Sequence, residues 1–362
     1  MNLFDHQAIT MMTTTAPILV TGATGYIAGW VIKQLLEQGY TVHATVRDLT
    51  KSSSFQHLEQ IASQTSGALK LFQANLLAEG SFDEAMKDCE IVIHMASPFL
   101  VTNFKDPITD LIDPALKGTT NVLNSVNRTD TVKRAVVTSS IASTYGDAVD
   151  ILKTEQNQFE ESHWNTTSSA EHQPYFYSKV AAERKAWDMQ KAQSRWDLVC
   201  INPSLVVGPS LTPSTQSGSV EVIQQFGNGM TLFGVPPMWN GLVDVRDVAR
   251  AHIQAALHPK AHGRYIINAK TMTLLEMGKT LRQHFGGRYP FPRMIAPKFL
   301  FKLLAPLFGY TRKFVDLNVG YPIYFNAERS KQELGMQYRD VETSIVEHFQ
   351  QLLDDGIIKK RG

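Results

Sequence analysis

Short runs of apolar and β-branched residues alternate with helical periodicity through the first half of the chain. The runs fall at 17–21, 41–46, 69–73, 91–95, 134–138 and 198–202. Helical patterns lie between them: one ends at Gly39, others cover 81–87 and 113–125, and another starts near Tyr175. Strand–helix alternation of this kind predicts a doubly wound α/β fold of Rossmann type, with a parallel sheet and helical crossovers. After Gly208 proline and glycine become frequent and the alternation weakens, as expected where the chain leaves the sheet. A helix at 245–256 and a strand at 264–268 mark a return to it. We therefore expect a flexible extension over 1–16, a dinucleotide-binding domain over 17–208 and a smaller substrate lobe over 209–362. The lobe should be interleaved with the sheet domain around 243–268.

Hydrophobic continuity adds little to this picture. The greasiest stretch, 294–310, is broken by Pro297, Lys298, Lys302 and Pro306, so it reads as a buried or lid helix, with a monotopic membrane contact as the lesser alternative, and no membrane partner is expected. The amino terminus lacks the basic patch and apolar core of a signal peptide. Thirty-five Lys and Arg nearly cancel thirty-four Asp and Glu, and the formal charge of +1 excludes a strongly basic nucleic-acid binder. Two cysteines, Cys89 and Cys200, cannot form a disulfide framework, which favours a reducing, cytoplasmic setting. The eleven histidines include no HExxH pattern, and no metal is expected.

Four motifs carry chemistry. Thr21-Gly-Ala-Thr-Gly25-Tyr-Ile-Ala28 joins the first strand to the first helix. Gly22 permits a tight turn, and Gly25 lets backbone approach a pyrophosphate. Tyr26 and Ile27 open the helix whose amino end faces that anion. The second strand ends at Val46-Arg47, with Lys51 shortly after, where an NAD enzyme would carry a carboxylate for the ribose hydroxyls. A guanidinium here suits a 2′-phosphate, so NADP(H) is the expected cofactor. Tyr175 and Lys179 are four residues apart and share a helical face. An ammonium beside a phenol favours the phenolate and brings its proton into working range. Thr138-Ser-Ser140 closes the fifth strand at the carboxyl edge, where a hydroxyl can donate to a carbonyl oxygen gaining charge.

These motifs occur in order, together with His94-Met-Ala-Ser-Pro98, Gly118-Thr-Thr-Asn121, Asn202-Pro-Ser204, Val243-Asp-Val-Arg-Asp247 and Ser330-Lys-Gln-Glu-Leu-Gly335. In this the chain resembles an extended short-chain dehydrogenase/reductase, of the dihydroflavonol reductase and NADPH-dependent aldehyde reductase branch. The resemblance implies Tyr175 as proton donor, with Lys179 tuning it and holding the nicotinamide ribose. It implies Ser140 as the catalytic serine, with Ser139 as second choice. Asn75 and Leu76 would flank the adenine, Ala96 and Ser97 would line the cofactor, and Pro203 and Val206 would lie near the carboxamide. The Tyr145-Gly146 tail after the serines is closer to sugar-nucleotide epimerases.

The substrate reading rests on charge. No Lys or Arg occurs from 196 to 245, a stretch expected to build much of the pocket, although a nucleotide sugar would bring a diphosphate. Instead it offers Phe226, Met230, Phe233, Val235, Met238 and Trp239, with Phe99 and Trp164 upstream. A neutral, hydrophobic or aromatic aldehyde or ketone is the expected substrate. A sugar-nucleotide epimerase, or a steroid-type 3β-hydroxy dehydrogenase, is the alternative on the same scaffold. A monomer or homodimer is expected.

Overall fold

The structure is a computed structural model that describes residues 14–97, 105–213, 217–232 and 234–361. Phe99, Phe233 and most of the expected extension lie outside the described residues. Thr14, within that extension, donates its hydroxyl to Glu90.

The first half of the large sheet comprises β1 (Ile18–Thr21), α1 (Tyr26–Glu37), β2 (Thr41–Val46), α2 (Gln56–Ser63), β3 (Ala68–Gln73), α3 (Asp83–Met86) and β4 (Ile91–His94). The second half comprises α4 (Asp113–Arg128), β5 (Arg134–Thr138), α5 (Pro174–Lys191) and β6 (Asp197–Pro203). The chain next forms β7 (Leu205–Val207), α6 (Gly218–Asn228) and β8 (Trp239–Asp244), then returns through α7 (Val245–Leu257) and β9 (Gly263–Ile267). It closes with β10 (Lys270–Thr273), α8 (Leu274–Phe285), α9 (Lys298–Leu304), α10 (Arg312–Asn318), α11 (Glu328–Glu333) and α12 (Val341–Asp354).

Seven strands pair in the order β3-β2-β1-β4-β5-β6-β9, every pair parallel. The two-residue period of a strand sends alternate side chains to opposite faces. Ile18 and Val20 meet α1 and α7 on one side, where Val31, Leu35, Val248 and Ala251 complete the core. Leu19 points the other way, into a layer built by Val122 and Val126 of α4 and Ala186 of α5. Order reverses between β1 and β4, so the crevice at their carboxyl ends is the switch point where such sheets bind ligands.

The smaller sheet pairs β7 parallel to β8, and β8 antiparallel to β10. Helices α6, α8 and α12 cover it with Ile223, Leu281, Phe285 and Phe349. Phe226 belongs to this core at 1% exposure, which removes it from the expected pocket wall. The stretch 294–310 is not buried as expected: α9 turns Phe299 and Leu303 outward, 76% and 64% exposed. Only its inner side packs, with Ala305 and Phe301 against Val315 and Val319. Broken by prolines and lysines, it is too short to sink a full circumference into protein. No helix among the described residues is long and apolar enough to cross a membrane.

Candidate active site

The glycine turn is held close to the next strand end. Gly22 sits at φ 73, in the left-handed region that side chains avoid. A Cβ there would lie 2.8 Å from the Cα of Ala96. Gly25 caps α1 without any side-chain hydrogen bond, so the first-turn N–H groups at Tyr26 and Ile27 remain available to an anion. The side chains of those two residues face inward: Tyr26 is buried with its hydroxyl on the Gly208 carbonyl, and Ile27 packs on the sheet core. The cradle therefore fits a dinucleotide through its backbone and the absence of Cβ atoms.

Around it, Arg47 is exposed at the end of β2, while Lys51 stands 3.8 Å from Asp48. Asn75 is exposed and its side-chain oxygen accepts from the Leu77 N–H at 3.0 Å, and Leu76 meets Gly118 of α4. Pro203 ends β6 against Ile267, and Val206 is 7% exposed in the core beneath the sheet edge.

A cavity of about 30 Å³, room for about one water, lies at the carboxyl ends of β4 and β5. Lys179, Ser97, Ala96, His94, Thr138 and Glu183 are among its walls. The Lys179 ammonium is 5.7 Å from the Tyr175 ring centre and donates to Ser97 Oγ at 3.3 Å. Tyr177 is 37% exposed and lies off this face. His94 is a fixed, neutral donor-acceptor. Thr21 Oγ1 accepts the N–H groups of Met95 and Ala96, both at 3.0 Å, so its own proton goes to His94 Nδ1 at 2.9 Å. Burial, reinforced by the Lys179 charge, pushes the His94 pKa down to about 4.

The three hydroxyls that end β5 are differently engaged. Thr138 Oγ1 lies 2.8 Å from His252 Nε2, and His252 Nδ1 lies 2.8 Å from the Val248 carbonyl. A carbonyl only accepts, so Nδ1 carries the proton and Thr138 must donate to Nε2. Ser139 is buried and donates to Glu183. Ser140 is half-buried, and its oxygen accepts from the Ala142 N–H at 3.1 Å. That leaves the Ser140 proton for a ligand.

Glu183 extends the Tyr175–Lys179 face of α5 by one more turn. It accepts from Ser139, Ser143 and Asn202, and pairs with Arg264 Nε at 2.6 Å. Burial alone would raise its pKa, but the Arg264 charge and the hydroxyl donors outweigh it and hold the carboxylate below its ordinary range. The amino end of α5 is pinned as well. Gln173, at φ 57, donates to the Gly146 carbonyl at 2.9 Å, and His172 meets the Asp147 carboxylate at 2.8 Å.

Comparison with known proteins names this architecture. The model of the NAD dependent epimerase/dehydratase family matches residues 18–269. The chain belongs to that family. Cinnamoyl-CoA reductase CAD2 of Medicago truncatula is 35% identical over 339 residues, 92% of this chain and 95% of its own. The bifunctional dihydroflavonol 4-reductase/flavanone 4-reductase of Malus domestica is 32% identical over 327 residues, 89% of this chain and 86% of that one. Among solved structures, Gre2 of Candida albicans in complex with NADPH is similar with a TM-score of 0.74 at 26% identity, covering 94% of this chain and 99% of that one. The chain is an oxidoreductase of the extended short-chain dehydrogenase/reductase type.

In this epimerase/dehydratase-family chain, the expected apolar wall is only partly assembled. Trp164 is held between guanidinium groups, 4.0 Å from Arg264 and 5.4 Å from Arg184, and so braces the Glu183 network. Met230 is 54% exposed, and Met238 packs on the small core beneath α9. Val235 is buried beside the Ile295 bridge. Trp239 joins Tyr145, Phe159, Phe176 and Phe325 in a cluster next to the turn that follows Ser140. The sequence reading missed Glu183 and Arg264, although a carboxylate four residues past Lys179 was a readable continuation of the same face. His258 and His262 are four apart, but they lie in the turn after α7, where His262 Nε2 meets Arg329 at 3.0 Å. No His, Cys, Asp and Glu group among the described residues is placed to hold a metal.

Proposed function

We propose that the chain is an NADPH-dependent reductase of neutral, hydrophobic or aromatic aldehydes and ketones. One observation carries this reading: of the hydroxyls ending β5, Ser140 alone keeps a proton that no described residue accepts, and it adjoins the turn at 141–143 against which α5, the helix of Tyr175 and Lys179, packs. When bound, the nicotinamide supplies a hydride to the carbonyl carbon. Tyr175 would give the proton that the resulting alkoxide takes, and Ser140 would donate to the same oxygen as charge develops. Lys179, with its ammonium 5.7 Å from the phenol ring centre, would hold the nicotinamide ribose beside it. The turn at Gly22 and Gly25 would hold the pyrophosphate, with Asn75, Leu76, Ala96 and Ser97 along the cofactor and Pro203 and Val206 behind it. Arg47 forms no salt bridge with the described residues, and would meet the 2′-phosphate more readily than Lys51, which faces Asp48.

The substrate class rests on the lack of cations from 196 to 245 and on Trp239 and Phe176, the aromatic side chains that stay partly open beside the buried Tyr145 cluster. Absorbance at the NADPH band, followed with a panel of aromatic and aliphatic aldehydes and ketones, tests it. Oxidation of NADPH much faster than of NADH, with the aromatic members preferred, is the expected result. Micromolar binding of a UDP- or dTDP-sugar without any carbonyl reduction would overturn the reading in favour of an epimerase.

A further inference from the structure

The face built by α9 and α10 is unlike the rest of the surface. Phe299, Leu303 and Leu307 follow at four-residue spacing and are 76%, 64% and 80% exposed, with Met294 at 60% just upstream. Large apolar side chains scattered singly are normal on a surface; a row of them is not. The row is also held in place from below. Phe301 and Ala305 pack on Val315 and Val319. Lys298 donates to the carbonyls of Asp316 and Val319, and Lys302 pairs with Asp316 at 2.7 Å. The outward leucines are thus presented by a hairpin with its own small core.

The charge around this row is one-sided. From 277 to 315 the chain carries eight Lys and Arg and no Asp or Glu, against a net formal charge of +1 for the whole, and the next carboxylate, Asp316 of α10, is taken up by Lys302. Arg293, Arg312 and Lys313 flank the row, are exposed, and form no salt bridge with the described residues. Leucine and phenylalanine on one side with cations at the margins is the composition that rests in the headgroup region of an anionic bilayer. A self-associating apolar face gains nothing from cations alone, since two copies would oppose like charges. We propose that the α9–α10 face docks the protein peripherally on an anionic membrane surface.

The inference does not depend on the reductase reading, because its test reads binding and not turnover. The full chain is sedimented with vesicles of phosphatidylcholine alone, or with about a third phosphatidylserine. The expected result is co-sedimentation with the anionic vesicles, strongly reduced in high salt. It should fall at least tenfold in a Leu303→Ser/Leu307→Ser variant whose circular dichroism matches the parent. An Arg312→Gln/Lys313→Gln variant, which leaves the apolar row intact, should also bind anionic vesicles several-fold less. Failure of the parent to bind, equal binding to both vesicle types, or undiminished binding by the leucine variant would overturn the proposal. So would a parent dimer that the leucine variant converts to monomer, which would make the face a contact between copies.

Discussion

Three consecutive hydroxyls end β5, and their partners separate them. Thr138 is spent on His252 and Ser139 on Glu183, while Ser140 uses only its lone pair. Replacing Ser140 by alanine should therefore lower kcat by roughly ten- to a hundredfold while leaving NADPH affinity near normal, because in the role proposed for it the hydroxyl acts only as charge builds on the substrate oxygen. Steady-state kinetics with separate cofactor titration read both quantities, and a loss confined to cofactor affinity would speak against the role. The Tyr175–Lys179 pair could be read from sequence because its members share one helical face and local spacing fixes it. The fate of each serine could not. Ser139 is decided by Glu183, and Glu183 by Arg264, which lies 81 residues further on.

Helix α5 and strand β5 owe their relative placement to that same network. Glu183 ties α5 to Ser139 at the strand end, and Arg264 of β9 closes the cluster from the far strand. Glu183→Ala would leave the guanidinium buried without a carboxylate, held only by the Glu161 and His163 carbonyls and Ser143, a change that costs about 3–5 kcal/mol. Urea unfolding should show the corresponding drop in midpoint, and a change under about 1 kcal/mol would mean that Arg264 finds water or another partner. The strands of the large sheet were legible because each is an apolar run of a few residues bounded by a helix. Those of the small sheet were not: β7 has three residues, and β8 opens with Trp239-Asn-Gly, which carries no clear period. The burial expected for 294–310 is not met on the outer face of α9 for a related reason, since an apolar run has the same pattern whichever of its sides the fold leaves open.

Across the whole molecule, buried histidines set the response to acid. His94, His252 and His348 are each pushed down to about 4 by burial, so they stay neutral in the folded chain where the unfolded chain takes up protons. Unfolding then binds protons below about pH 6.5, and stability falls from there toward pH 4 while remaining level above it. The loss is up to about 3 kcal/mol for each histidine. Glu183, held below its ordinary range, acts in the same direction at still lower pH. Urea midpoints between pH 7.5 and 5 should decline, and a flat profile would mean these rings gain protons without unfolding. The role proposed for Tyr175 in this framework is delivery of the proton. Its most direct test is the turnover of Tyr175→Phe at saturating NADPH, beside the cofactor affinity of the same protein. Near-normal NADPH binding with kcat reduced about a hundredfold or more is expected. Undiminished turnover in Tyr175→Phe, with Tyr177→Phe inactive instead, would contradict it.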